Sequence, residues 1–445
     1  MAETFDAVVI GTGTAASQMA YRCRAAGKSV AVVDSRPFGG TCALRGCDPK
    51  KVLVGGADLV DWANRMRSRG IAGETRIDWS ALMKFKRSFT EPVPKQREQD
   101  FEKAGIERIH GRAKFSAPER LSINGREIAA GNIGIGVGMR PVRLGIPGAE
   151  FLIDSEQFLN LDRLPERIVF VGAGYIAFEF GHLAARAGAS VTLVARGARP
   201  LAGFDPDLTQ RLLRKTRELG IRVELNSPAT GAERGAVYSG SEKFEGDLLV
   251  HAAGREADVD DLDLKAGNVE SGRHGIKVNE FLQSTSNPAV YAAGDCADTG
   301  NPALTPVAGW EGRTAGSNMV NPRSSAIARR AIPSVVFSIP PMAKVGLTEA
   351  EAVKLGLKYV PVARDMSGWY SSRRIAEDCS GSKILIEEGS GRILGAHLLG
   401  EGAEEVINVF SVAIGNGMAA RDLATTVFSY PSRGSDIPYM VDMAG

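Results

Sequence analysis

One pattern occurs twice in this chain: an apolar strand, a glycine-rich turn, a helix of small residues and a second apolar strand. The first copy reads Ala7-Val8-Val9-Ile10-Gly11-Thr12-Gly13-Thr14-Ala15-Ala16, runs as a helix to Gly27, and returns as a strand from Ser29 to Val33 that ends at Asp34. The second reads Ile168-Val169-Phe170-Val171-Gly172-Ala173-Gly174-Tyr175-Ile176-Ala177, continues as a helix to Gly188, and returns from Ser190 to Val194. Each copy has the grammar of a Rossmann-type unit, in which paired glycines let the backbone approach a pyrophosphate and the helix N-terminus offers it unpaired N–H groups. Two such units a domain's length apart imply two dinucleotides, bound at Gly11 and Gly13 and at Gly172 and Gly174.

The strand ends distinguish the two ligands. An acid there accepts the hydroxyls of a free ribose, whereas arginine suits a ribose phosphate. Asp34 therefore marks a dinucleotide with a free ribose. The second strand ends in Val194-Ala195-Arg196 with Arg199 beyond, so NADPH is favoured over NADH.

Directly after the first unit comes Gly39-Gly40-Thr41-Cys42-Ala43-Leu44-Arg45-Gly46-Cys47-Asp48-Pro49-Lys50-Lys51. The spacing permits a disulfide across a helical turn, whose reversible reduction is a two-electron event that matches hydride delivery from a nicotinamide, with a flavin as relay. A metal site, disfavoured because no second ligand pair accompanies the two thiols, and two unrelated buried cysteines are the other readings. Only five cysteines occur in 445 residues, too few for a secreted disulfide framework.

Length alone calls for two to four domains. With 54 Lys plus Arg against 52 Asp plus Glu, no charge excess argues for nucleic acid or an anionic membrane as partner. No run is long and apolar enough for a spanning helix, and a cytoplasmic location is expected. Further on, Ala289-Val290-Tyr291-Ala292-Ala293-Gly294-Asp295 reads as a strand closing on an acid, and Thr305 heads another helix. Beyond a boundary near residue 331 the pattern becomes that of a mixed α+β domain, with strands at Lys383 to Glu387 and Ile393 to Leu398. The expected class is thus α/β, two Rossmann-like domains followed by a C-terminal α+β domain.

Taken together, the first fingerprint, the Gly-Gly-Thr-Cys-x4-Cys segment, the second fingerprint, Ala-Gly-Asp at 293 to 295, Pro-Ser-Val-Val-Phe at 333 to 337 and Val-Gly-Leu-Thr-Glu at 345 to 349 closely resemble the class I pyridine nucleotide-disulfide oxidoreductases. This family includes glutathione reductase, dihydrolipoamide dehydrogenase and mercuric reductase. The resemblance covers essentially the whole chain. It implies a homodimer with an FAD-binding domain over 1–145, a central segment over 263–330, an NAD(P)H-binding domain over 146–262 and an interface domain over 331–445. Gly11, Gly13, Asp34 and Thr41 would hold the adenine half of FAD and Asp295 its ribityl chain, with Thr305 a further cofactor contact. Cys47 would face the flavin, Cys42 would meet the substrate, Lys50 or Lys51 would pair with Glu179 beside the flavin ring, and Tyr175 would gate the nicotinamide site.

The sequence departs from the family at its end. Where a histidine shuttles protons for thiol exchange, this chain has Tyr430, followed by Pro431, and Ser435 stands in the place of a glutamate unless the register slips to Asp436. A phenol, with a reference pKa of about 10, is a poor base near neutral pH. The five histidines, His110, His182, His251, His274 and His397, lie elsewhere, and His397 reads as structural. Mercuric reductase carries vicinal cysteines at its C-terminus, but here no cysteine follows Cys379. Another departure is Gly136-Val137-Gly138-Met139-Arg140-Pro141, where an alanine-threonine-glycine turn usually underlies FAD. Trp369 and Tyr370, beside Arg373 and Arg374, either line a substrate entrance or pack the domain, with packing preferred; Tyr439 and Met440 are expected at the subunit interface. The expected activity is an FAD-dependent NADPH oxidoreductase that reduces the Cys42–Cys47 disulfide and then a small acceptor, an unusual low-molecular-weight disulfide contacted by Tyr430. The alternatives are a reductase of soft metal ions or quinones and a non-catalytic redox-sensing flavoprotein subunit.

Overall fold

The computed structural model describes residues 3–328 and 331–443. Two compact units emerge, each assembled from three stretches of chain. The first takes the described residues up to Lys50, those from Lys84 to Arg143 and those from Gly254 to Ala328. The second takes Lys51 to Met83, Leu144 to Ala253 and the described residues from Ala331 onward. The sequence boundary near 331 adjoins residues 329 and 330, which lie outside the described residues.

In the first unit, Glu107–His110, Val30–Asp34, Glu3–Ile10 and Arg126–Ile135 form the parallel body of a sheet. Val290–Ala292 adds a parallel edge along the C-terminal half of Arg126–Ile135, and Arg120–Ile123 with Ala113–Ala117 form an antiparallel extension. The central strands show no alternation of buried and exposed positions: Ala7 to Ile10 and Val30 to Val33 are all buried, as parallel strands covered on both faces must be. Helix Thr14–Ala25 lies along helix Thr305–Val320 on one face of this sheet.

The second unit contains a four-stranded parallel sheet in the order Arg222–Glu224, Ser190–Val194, Arg167–Val171, Leu248–His251. Helix Tyr175–Arg186 packs on it. A five-stranded antiparallel sheet follows, Ser334–Val336, Met342–Gly346, Ile393–Leu399, Gly381–Glu387 and Tyr359–Asp365, with helix Ala403–Gly415 against it. The two strands expected from alternation in this region are among them. The α/β class with a C-terminal mixed domain is thereby met.

Several buried polar groups within this unit are paired. Arg186 donates to Asp61 at 2.6 Å, and Arg65 donates to the other oxygen of Asp61 at 2.7 Å. His182 accepts from the Ile339 amide at Nδ1, 3.1 Å, and its Nε2 lies 2.9 Å from the Thr216 hydroxyl; burial holds it neutral, down to about 3. Lys383 is enclosed by Asp205, Asp207 and Glu349 at 2.9, 2.5 and 2.7 Å. His397 is buried, with Nε2 at 3.0 Å from the Leu347 carbonyl, the structural placement the sequence suggests.

Two expectations about packing are corrected. Trp369 packs against the C-terminal core, but Tyr370 stands 58% exposed because the short helix Tyr370–Arg373 turns it outward while burying Ser371 and Ser372. Met440 lies in the core of its own domain rather than at a subunit face, whereas its neighbour Tyr439 is exposed. No helix among the described residues is long and apolar enough to cross a membrane.

Candidate active site

The first glycine turn is forced by close approach. Gly11 has φ +103°, and a Cβ there would meet the Gly136 carbonyl oxygen at 2.5 Å, so no other residue fits. Gly136 thus belongs to the cradle that the sequence places under a dinucleotide, even though the local motif is unusual. Gly13 caps helix Thr14–Ala25 without a side-chain hydrogen bond, leaving the helix N-terminus open to an anion. At the end of the neighbouring strand, Asp34 accepts from the Thr12 hydroxyl at 2.7 Å and from the Arg36 amide at 3.0 Å. Thr12 also accepts from the Gly39 amide at 3.1 Å, linking the acid to the start of the cysteine segment. Thr41 is exposed on helix Gly40–Arg45.

Asp295 lies at the end of strand Val290–Ala292, and burial raises its carboxyl above the usual range while Arg255 opposes the rise. Its turn is held by Glu311, which is 1% exposed and accepts from the Gly294 amide at 2.9 Å, the Thr299 hydroxyl at 2.7 Å and the Asn301 amide at 2.9 Å. Sequence reasoning passed over Glu311. Its signal was a lone acid in a helix otherwise rich in Gly, Ala and apolar residues. These features of cradle, open helix end, strand-end acid and second acid fit a bound FAD.

The second turn repeats the geometry inside the other unit. Gly172 has φ +134°, and a Cβ would meet the Ala252 carbonyl oxygen at 2.2 Å. Gly174 caps helix Tyr175–Arg186, again with no side-chain cap. Tyr175, the first helical residue, is exposed. Beyond strand Ser190–Val194, Arg196 is exposed and Arg199 donates to the Ala202 carbonyl of its own loop at 2.7 Å.

Cys42 sits on helix Gly40–Arg45 and Cys47 is the first residue of helix Cys47–Arg65. Both are free thiols, Cys42 partly buried and Cys47 exposed. Their environments differ. The Cys42 thiol donates toward the Cys47 sulfur, which raises Cys42 and holds Cys47 down, to about 6. The Thr305 hydroxyl, 3.4 Å from the Cys47 sulfur, and the Lys50 ammonium favour the Cys47 thiolate further, as does the N-terminal end of its helix. Cys42 lies 3.8 Å from the Asp48 carboxylate, which disfavours its ionisation. Thr305, expected as a cofactor contact, thus touches the thiol pair. Burial drives Cys23 and Cys296 up to about 11 and Cys379 up to about 12, which makes these three thiols unreactive.

In the second unit, Glu179 is buried at 6% exposure and accepts from the Phe337 amide at 2.9 Å. The Lys51 ammonium lies 4.2 Å over the Phe337 ring and 3.9 Å from Glu404. Tyr430 is 79% exposed, with its ring centroid 6.3 Å from that of Tyr370.

Two dinucleotide cradles, with a dithiol of split acidity directly after the first in sequence, define a two-electron flavin- and nicotinamide-dependent oxidoreductase. The chain belongs to the pyridine nucleotide-disulphide oxidoreductases: the model of that family matches residues 5–312, and the family's dimerisation domain matches residues 332–440. Glutathione reductase of Nostoc sp. is 32% identical, over 98% of this chain and 99% of its own length. Mercuric reductase of Lysinibacillus sphaericus is 29% identical, over 96% of this chain and 80% of its own. Among solved structures, the HOCl-induced flavoprotein disulfide reductase RclA from Escherichia coli superposes with a TM-score of 0.89 at 25% identity, covering 99% of this chain and all of that one. The protein is accordingly a flavoprotein disulfide reductase of the glutathione and mercuric reductase type.

Proposed function

We propose that this enzyme oxidises NADPH, reduces the Cys42–Cys47 disulfide and passes the electron pair to a small disulfide. The observation that carries the reading is the pair of free thiols directly after the first glycine turn, with the Thr305 hydroxyl 3.4 Å from the Cys47 sulfur, an arrangement in which Cys47 is lowered and Cys42 raised. A dithiol so divided keeps one thiolate in place while the other sulfur is offered to an acceptor. The glutathione reductases among the relatives support a disulfide acceptor.

Gly11, Gly13, Asp34, Thr41 and Asp295 are assigned to FAD, and Gly172, Gly174, Arg196 and Arg199 to NADPH, with Tyr175 covering the nicotinamide site until that ligand enters. The domain division of 1–145, 146–262, 263–330 and 331–445 belongs to the same proposal, as does the homodimer. Bound FAD supplies the relay that turns a hydride into two electrons for the disulfide. Lys50, Lys51 and Glu179 are the charged groups proposed to serve it.

The thiol chemistry then balances as follows. Cys42 passes its proton to Cys47 and attacks one sulfur of the acceptor RSSR, forming a mixed disulfide and expelling RS⁻. That thiolate takes the proton from Cys47, and the Cys47 thiolate attacks the Cys42 sulfur, restoring the disulfide and expelling the second RS⁻. The sum is NADPH + RSSR → NADP⁺ + RSH + RS⁻, so one product leaves unprotonated unless solvent or a side chain supplies a proton.

Anaerobic titration with NADPH, followed by mixing with small disulfides, quinones and soft metal ions, tests the reading. The expected result is a long-wavelength absorbance of a thiolate beside flavin that disappears with a disulfide. If it persists against every disulfide while quinone or metal ions restore the oxidised spectrum, the acceptor assignment is wrong.

A further inference from the structure

Asp48 follows Cys47 directly and stands, exposed to solvent, in the first turn of helix Cys47–Arg65. Its Oδ1 lies 3.8 Å from the Cys42 sulfur, within reach of the thiol as hydrogen-bond donor. Both residues belong to the first unit, on consecutive helices, so the local chain alone sets this contact. The charges of the segment act unequally on the two sulfurs. At Cys47 the Lys50 ammonium outweighs Asp48, whereas at Cys42 the Asp48 carboxylate works against the thiolate. An acid in a first turn suits the helix dipole, yet an exposed side chain there could serve the dipole while facing solvent. This one faces the sulfur that must become a nucleophile, where it costs the enzyme thiolate. Such a placement is explained if the carboxylate acts on the other reactant.

The exchange reaction brings that reactant close. When the Cys42 sulfur attacks, the acceptor sulfur ends about 2 Å from it in the mixed disulfide. A charged group two carbons from the acceptor sulfur then falls within a Debye length of the Asp48 carboxylate, about 8 Å at physiological ionic strength. At a separation of about 6 Å in water, Coulomb's law gives about a threefold effect per unit charge, and more where the docked acceptor displaces solvent. A cation gains this factor and an anion loses it, so the two should differ by about tenfold.

We propose that Asp48 selects the acceptor by charge, favouring small disulfides that carry an ammonium group close to the reacting sulfur and disfavouring those with a carboxylate there. This rests on the disulfide-acceptor reading above and names its substrate class. The bonds made and broken are those already balanced: Asp48 holds a charge beside the reacting sulfurs and carries no proton between them.

Three disulfides of one skeleton, each with two carbons between sulfur and end group, serve as probes: cystamine, cationic; hydroxyethyl disulfide, neutral; and dithiodipropionate, anionic. The kcat/KM of each with NADPH is divided by that probe's rate with free dithiothreitol at the same pH and salt, which removes intrinsic reactivity. Cystamine is expected to lead and dithiodipropionate to trail, with a ratio of about tenfold or more at low ionic strength. Asp48→Asn should lower that ratio about tenfold, moving cystamine and dithiodipropionate in opposite directions relative to the neutral probe, whereas Asp48→Glu, which keeps the charge, should preserve the order. Added salt should compress the ratio in the wild type and leave it nearly unchanged in Asp48→Asn. A merely structural role for Asp48 would change all three probes together and leave the ratio alone. The rate of flavin reduction by NADPH, followed by stopped flow, reports whether each variant is intact. A wild-type ratio at or below one, or a ratio that Asp48→Asn does not lower, overturns this proposal while leaving a disulfide reductase. Absence of turnover on all three probes overturns the underlying reading instead.

Discussion

Alkylation of the reduced protein should separate the two thiols of the redox pair. Because Cys47 is held down to about 6, its reaction with iodoacetamide should rise with pH through about 6 and be complete well below the ordinary thiol midpoint of about 8.5. Cys42, raised by donating to Cys47, should lag across the same range. Peptide mass spectrometry after a short pulse reads both sites, and a Cys47 midpoint at or above that ordinary value would remove the thiolate assignment. At the same scale, replacing Arg196 and Arg199 together by alanine should raise KM for NADPH about tenfold or more, since two cations facing a phosphate are lost, and leave NADH nearly unaffected. Equal losses for both nucleotides would show that these arginines do not read the ribose phosphate.

The glycine turns are properties of elements rather than of single side chains. A methyl group at Gly172 would stand 2.2 Å from the Ala252 carbonyl oxygen in a backbone conformation of φ +134°. Gly172→Ala must therefore move the start of helix Tyr175–Arg186, whose N-terminus is assigned to the NADPH pyrophosphate. The expected outcome is an NADPH affinity weakened by about a hundredfold, on the order of 3 kcal/mol, with the protein still retaining FAD. Isothermal titration with NADP⁺ together with the bound-flavin spectrum checks this. Loss of flavin from this variant would mean that the two turns are not independent sites.

At the scale of the molecule, the second unit is joined by buried charge. Asp61 comes from the segment after the cysteines and Arg186 from the helix of the second fingerprint, while Arg65 donates to the Ile375 carbonyl of the C-terminal domain. Arg186→Met leaves Asp61 with Arg65 as its remaining partner, and breaking a buried pair from one side costs about 3 kcal/mol or more. The urea midpoint should fall correspondingly. A midpoint within error of wild type would show that Arg65 suffices. Asp61 and Arg186 are spaced so far apart in the chain that no local pattern announces the pair.

Local geometry is what the order of residues enforces without help from the rest of the fold. A strand, a glycine turn and a helix N-terminus are contiguous, so both dinucleotide units, Asp34 after the first and Arg196 after the second could be read directly. The cysteine pair was legible for the same reason, as was Tyr430 in place of histidine. The folded chain alone brought the Thr305 hydroxyl to the Cys47 sulfur from 258 residues away, and a pKa responds to whatever surrounds a group in space. It alone placed Glu311 beneath the Gly294–Asp295 turn and Tyr370 beside Tyr430. Such contacts join segments that share no periodicity, and only tertiary packing brings them within bonding distance.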